Sequence, residues 1–325
     1  MKGINHSQSH GLAARPGDRV GQSRVGACLL LAALLAASGC SAMAPDPKDA
    51  AVATPQVSSD ELLTAAEGDL DARRFQLAYQ RLTRLDQAAL ATPRAKWVQG
   101  EALLGLNDAK EALAQFQAIQ TDETYRARAY QGMGLSLMAL GDVSVARPQL
   151  ERAVEADPAL WRSWMALARV HDGDKDWPAA QAAYDKALAA HPNSPVIVNN
   201  MGMSLMLQHR YTEAVQTFQH ALEIDPAMEM TRANLRIALA WQGQYDEALV
   251  GARPGDRADA LNNVGYVAML RGDQNAAQQY FSQALEISPV YHERAARNLE
   301  TLKLLAKSKA ASAAGTSDAP PQSLN

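Results

Sequence analysis

The chain has 325 residues, 31 Lys and Arg against 35 Asp and Glu, a net charge of −4 and only 6% aromatic residues. Binding nucleic acid requires a basic face that displaces condensed counterions, and no Lys/Arg cluster of that kind occurs after residue 39, so nucleic acid is set aside as a partner. A chain this rich in alanine and leucine, with so few aromatics, calls for a search for internal repeats before any count of domains.

The first element is a basic segment carrying Lys2, Arg15, Arg19 and Arg24, followed by an uncharged run of 15 residues from Val25 to Gly39. A spanning helix needs about 20 apolar residues, so the run is too short to cross a bilayer, and the order basic, apolar, small is that of an export signal. Its exit, Ala37-Ser38-Gly39-Cys40, resembles a bacterial lipobox. That resemblance implies cleavage after residue 39 and a diacylglycerol on Cys40, with Ser41 favouring the outer membrane. The competing reading is an ordinary signal peptide with an incidental cysteine; a start nearer Val20 is a further alternative. Loss of residues 1–39 removes four basic and one acidic residue, leaving 27 against 34 and a net charge of −7. Cys28 leaves with the signal, and Cys40 carries lipid, so no disulfide is expected. Three acyl chains at about 0.8 kcal/mol per buried CH₂ give stable anchoring. Residues 40–58, rich in Ala, Ser and Pro, read as a disordered tether.

From residue 59 a 34-residue pattern repeats. In the unit beginning at Pro195, Gly202, Ala214, Phe218, Ala221 and Pro226 stand at the eighth, twentieth, twenty-fourth, twenty-seventh and thirty-second positions, which are the signature positions of the tetratricopeptide repeat (TPR). The same register gives Ala168, Ala180, Tyr184, Ala187 and Pro192 in the unit before, then Gly134, Ala146, Leu150, Ala153 and Pro158. Gly100, Ala112 and Phe116 continue it, and Ala66, Ala78 and Leu82 follow more weakly. Small residues let the two helices of a unit approach, and the large one fills the gap to the next. Units are therefore expected at 59–92, 93–126, 127–160, 161–194, 195–228, 229–257 and 258–291. The sixth is five residues short: Gly251, Pro254 and Gly255 in GARPGDR should stop its second helix about two turns in. A capping helix over 292–305 and a disordered tail over 306–325 complete an all-α TPR solenoid of about seven helix-turn-helix units.

In such arrays the first helix of each unit lines a groove. Its sixth position is Asn200, Asn234 and Asn263 in three C-terminal units but Val98, Gly132 and Ala166 in three earlier ones. An amide can pair with both the N–H and the C=O of an extended peptide, so this ladder, with Asn199, Asn262, Met203, Ile237, Trp241 and Tyr266 around it, is the candidate peptide-binding groove. Asparagine at this position is also ordinary TPR consensus, and that reading stays open. The aspartates of HDGDKDW, His171 to Trp177, fail as a calcium loop because Trp177 stands where glycine is required. The histidines make no ligand spacing, and no nucleophile elbow, phosphate loop or H-E-x-x-H motif occurs. We therefore expect no enzyme activity, no metal, no cofactor and no small-molecule substrate.

The C-terminal half, NNMGMSLMLQHRYTEAVQTFQHALEIDP followed by TRANLRIALAWQGQYDEA, the shortened GARPGDR unit and NNVGYVAMLRGD, resembles the TadD-like TPR lipoproteins of tight-adherence (Flp-type) pilus systems over roughly residues 161–302. The resemblance implies a lipid-anchored scaffold on the periplasmic side of the outer membrane. Its partners would be the secretin or other pilus-assembly components. Another TPR lipoprotein adaptor, a type IV pilotin or a cell-wall hydrolase scaffold, is the alternative.

Overall fold

A computed structural model describes residues 57–287 and 293–315, with side chains as far as residue 308. The signal segment, Cys40, the tether before residue 57, residues 288–292 and the chain after residue 315 lie outside the described residues. Among those described, helices come in pairs: α1 (Ser59–Asp71) and α2 (Phe75–Leu82), a single turn α3 (Gln87–Leu90), α4 (Pro93–Gly105) and α5 (Ala109–Gln117), then α6 (Arg126–Leu140) and α7 (Val143–Ala156). The pairs α8 (Trp161–Asp174) with α9 (Trp177–Ala190) and α10 (Pro195–Leu207) with α11 (Tyr211–Ile224) follow. Next come α12 (Glu229–Gln242), the short α13 (Tyr245–Leu249), α14 (Arg257–Arg271), α15 (Gln274–Ile287) and the terminal α16 (Glu293–Gly315). This is a helical solenoid of seven units and a cap.

Local chemistry starts and stops these helices. Ser58 and Glu61 form a reciprocal capping box at α1, Thr92 caps α4 ahead of Pro93, and Asp176 caps α9 ahead of Trp177 and Pro178. Between the two helices of every unit one residue is left-handed: Arg73, Asn107, Gly141, Lys175, His209, Gly243 and Gly272. Their spacing is 34 five times and then 29, which puts the five-residue loss between the turns of the sixth and seventh units. Four of the seven are not glycine and hold this conformation at a cost of about 1 kcal/mol each, so packing on either side outweighs local preference.

That packing follows the repeat. Ala66, Ala78, Ala112, Ala146, Ala168, Ala180, Ala214 and Ala277 are fully buried, as are Phe116, Leu150, Phe218 and Phe281. Each large side chain contributes about 1.5–3 kcal/mol by leaving water. The fit is tight: a Cβ added to Gly202 would lie 2.5 Å from the Phe218 ring, and one on Gly134 would lie 2.5 Å from Leu150. Phe116 is clamped from two sides, by Gly100 of its own unit and Gly132 of the next.

First helices touch the first helices of neighbouring units, whereas no two second helices are in substantial contact among the described residues. The first helices therefore line the inner side. Elsewhere a unit passes the stack to the next mainly through its second helix; at the sixth unit α14 instead packs chiefly on α12. The cause is the length of α13, which ends after Leu249, sooner than the two turns expected, when Val250 turns extended and Gly251 adopts φ +69°. In the other direction α16 runs on to Gly315, through residues expected to belong to a disordered tail. The alanines of KAASAAG are the strongest helix formers, and they carry the helix past residue 305.

Candidate binding groove

The inner face differs along its length. In the N-terminal units the sixth position is interior: Val98, Gly132 and Ala166 are buried. Reading this position as groove-facing throughout is thus corrected, because here it seats against the preceding unit. Ion pairs cross the face as well. Arg94 of α4 donates to Asp60 and Glu67 of α1, and Arg162 of α8 reaches Glu101 of α4 at 2.7 Å, passing over α6. Arg128 lies 4.8 Å above the Trp97 ring.

In the C-terminal units the asparagines are partly engaged with one another. Asn199 is buried, and its Oδ1 accepts from Thr231 Oγ1 and from Asn234 Nδ2, each at 3.0 Å. Asn262 is also buried and accepts from Asn298 Nδ2 of the cap at 2.9 Å. A buried amide has to be paired, and these pairs bind first helix to first helix. The expectation that Asn199 and Asn262 form open polar edges of a groove is therefore corrected: both serve as links within the array. Gln131 and Ser163 make the same kind of link between α6 and α8 at 3.2 Å. Asn200 donates to the Val196 carbonyl one turn back at 2.8 Å, and Asn263 is exposed with its Oδ1 accepting from Asn262. Met203 and Tyr266 are exposed, and Ile237 is half-buried. Trp241 points elsewhere: its ring stacks on Tyr211 with centroids 5.2 Å apart and 9° between planes. The nine residues thus divide into the linking amides Asn199, Asn234 and Asn262, a stacked tryptophan and an accessible set of Asn200, Met203, Ile237, Asn263 and Tyr266.

Where α13 stops short, a cleft of about 380 Å³ opens between α12 and α14. Ala233, Ile237, Ala260 and Val264 form its apolar wall, exposed Met230 stands at its mouth, and Asn263 brings in an amide. Its charged members, Arg236, Arg253 and their neighbouring carboxylates, belong to no sequence motif. One signal was available: Arg236 occupies the eighth position, where the other six units carry Ala66, Gly100, Gly134, Ala168, Gly202 and Gly265.

Asp172, from the aspartate-rich turn, is buried and accepts from Tyr184 OH at 2.9 Å and Ser204 Oγ at 2.5 Å, joining α8 to α9 and α10. Burial and this carboxylate push the Tyr184 phenol well above its usual range. Tyr280 is pushed up to about 12 by burial and by its bond to Asp246. These are structural tyrosines, locked protonated. Among the described residues no group of three His, Cys, Asp or Glu side chains could hold a metal, and no helix is long and apolar enough to cross a membrane.

Tetratricopeptide-repeat models match residues 132–195, 173–229 and 258–291. These segments are tetratricopeptide repeats. The chain is 27% identical over 160 residues to the type IV pilus assembly protein PilF of Pseudomonas aeruginosa, covering 49% of this chain and 53% of that one. It is 24% identical over 208 residues to protein FlbA of Caulobacter vibrioides, covering 61% of this chain and 35% of FlbA. The chain thus spans about half of the one relative and about a third of the other. Among solved structures, the C-terminal part of a TPR repeat-containing protein from Cytophaga hutchinsonii superposes with a TM-score of 0.48 at 18% identity, over 73% of this chain and 99% of its own.

Proposed function

We propose that this TPR chain is a non-enzymatic scaffold whose C-terminal inner face holds a segment of a partner protein, and that it works lipid-anchored through Cys40 on the periplasmic side of the outer membrane in assembly of a Flp/Tad-type pilus. The observation that carries the binding part is the cleft between α12 and α14, an apolar opening with an accessible amide on a face that the earlier units fill internally. Such a surface suits an extended or helical segment, with apolar anchors in the cleft and side-chain amides on its backbone. The anchoring part rests on the run Val25 to Gly39 ahead of Cys40, and the pilus part on the order of motifs and the shortened sixth unit.

A second reading, service to a type IV pilus, is favoured by the similarity to PilF of Pseudomonas aeruginosa, a type IV pilus assembly protein by name. Deleting the gene separates the two: loss of Flp-type fibres from the cell surface with pilin still made supports the first, and loss of type IV fibres alone supports the second. Normal piliation of both kinds sinks both. Cys40→Ala should abolish lipid labelling and outer-membrane fractionation, and an unchanged fractionation pattern would remove the anchor from the proposal. Secretin or another pilus-assembly component is the partner expected to co-purify from solubilised outer membranes.

A further inference from the structure

The charged groups around the α12–α14 cleft are not equivalent. Glu229 is paired with Arg232 and, at 3.4 Å, with Arg253; Asp256 is paired with Arg253 at 2.7 Å; Asp259 is paired with Arg294. Each lining carboxylate already faces a guanidinium. Arg236 is different: its bond is a single one, from Nη2 to the Gly251 carbonyl at 3.4 Å, and no ion pair joins it to any described residue. It is half-buried in the wall of the cleft, beside Ile237 and across from Asn263.

Its position in the repeat explains how it came to be available. In the other units the eighth residue is small because a large side chain of the second helix presses on it, as Phe218 does on Gly202 and Phe281 on Gly265. The sixth unit has no such side chain, since α13 ends at Leu249. An arginine therefore fits where elsewhere only glycine or alanine does, and its planar, permanently charged fork remains without a carboxylate. A half-desolvated guanidinium next to an apolar wall is complementary to one kind of ligand group, a carboxylate beside an aliphatic side chain, which it binds through two parallel charge-assisted hydrogen bonds.

We propose that Arg236 makes this cleft selective for a peptide segment in which an acidic side chain is flanked by aliphatic ones, the carboxylate on Arg236 and an aliphatic group against Ile237 and Met230. This rests on the reading of the C-terminal face as a partner groove and adds the chemistry of what it selects. The paired carboxylates of the rim contribute the other half of the selectivity, because a basic residue entering the cleft would meet Arg236 at close range and find no open acid to offset it.

Two pools of fluorescein-labelled 12-residue peptides with randomised flanks test this, one fixed at its centre as Leu-Glu-Leu and the other as Leu-Gln-Leu, titrated by anisotropy against the mature chain. The parent protein should prefer the Glu pool by roughly 10-fold, and the preference should shrink as salt rises from 50 to 500 mM. Arg236→Gln should bind both pools alike, and Arg236→Lys should keep part of the preference. Arg236→Met, similar in bulk, serves as the folding control: it should melt as the parent does and show no preference. Equal binding of both pools by the parent, or a preference that survives in Arg236→Gln, overturns the acidic anchor. Equal binding that is lost in Ile237→Ser overturns the anchor while leaving the groove in place, and binding of neither pool overturns the proposal.

Discussion

The N-terminal and C-terminal halves of this array are stacked by the same rule and finished differently. In both, a large side chain from the second helix presses on a small residue of the first, Phe116 on Gly100 in one half and Phe218 on Gly202 in the other. On the inner face, however, the N-terminal units use up their side chains among themselves, through Arg94 with Asp60 and Glu67 and through Arg162 with Glu101. The C-terminal units leave Met203, Met230 and Tyr266 at 40%, 73% and 44% exposure and open a cleft at Met230. The residues that build a repeat are thus separate from those that decide whether its face is spent or available, and a fold assignment alone does not reveal which half binds.

The shared rule can be broken first. Phe116→Ala and Phe218→Ala should each cost about 3–5 kcal/mol, because each empties a fully buried site between neighbouring units. Because repeat stability is set by nearest neighbours, hydrogen exchange should show the loss of protection confined to the adjoining units. Similar protection in parent and variant would mean the ring is not the keystone of its seam. Asn199→Ala comes next, at about 1–3 kcal/mol in urea unfolding, since it strands Thr231 and Asn234 opposite an empty place. Asn263→Ala, exposed on the same face, should stay within about 0.5 kcal/mol of the parent. Equal costs for the two asparagines would erase the division between linking and accessible amides.

The smaller test concerns charge in the N-terminal half. Asp69 is buried, and the Arg81 guanidinium at 2.5 Å, joined by Arg74 at 2.6 Å, holds its carboxyl below the usual carboxylate range. A depressed folded-state value means that the stabilisation is present above the unfolded value of about 3.9 and is lost as pH falls through the folded one. Asp69→Asn should therefore cost about 1–2 kcal/mol at pH 7, a modest figure because Arg74 can turn to solvent once its partner is gone. The gap between parent and variant should close as the pH is lowered below 4 toward the folded value, and a gap that widens there would contradict the assignment.

Much of this fold is legible in the residues because the repeat writes the same constraint several times. The 34-residue register, the short sixth unit and the breakers Gly251 and Pro254 all follow from spacing and backbone chemistry. What spacing cannot convey is whether a polar side chain on a helix face finds a partner on the next helix. Asn199 and Asn200 are neighbours in sequence, yet one is buried against Thr231 and the other bonds back along its own helix. Arg236 was visible as an exception at a position of small residues, but its meaning depends on what fails to press on it. The run after residue 305 shows how low complexity misleads, since a composition that resembles a flexible tail is also one that alanine makes helical.

The short α13 has a mechanical consequence. Through most of the array a pull along its axis is borne by broad seams in which a first helix lies against both helices of the unit before it. At residues 250–256 the share of the first helix grows: α12 lies on α14, with the short α13 and the turn at Pro254–Asp256 beside it. That seam also lines the cleft, so a segment laid in the cleft would bear on the same contact that carries the stack across the sixth unit.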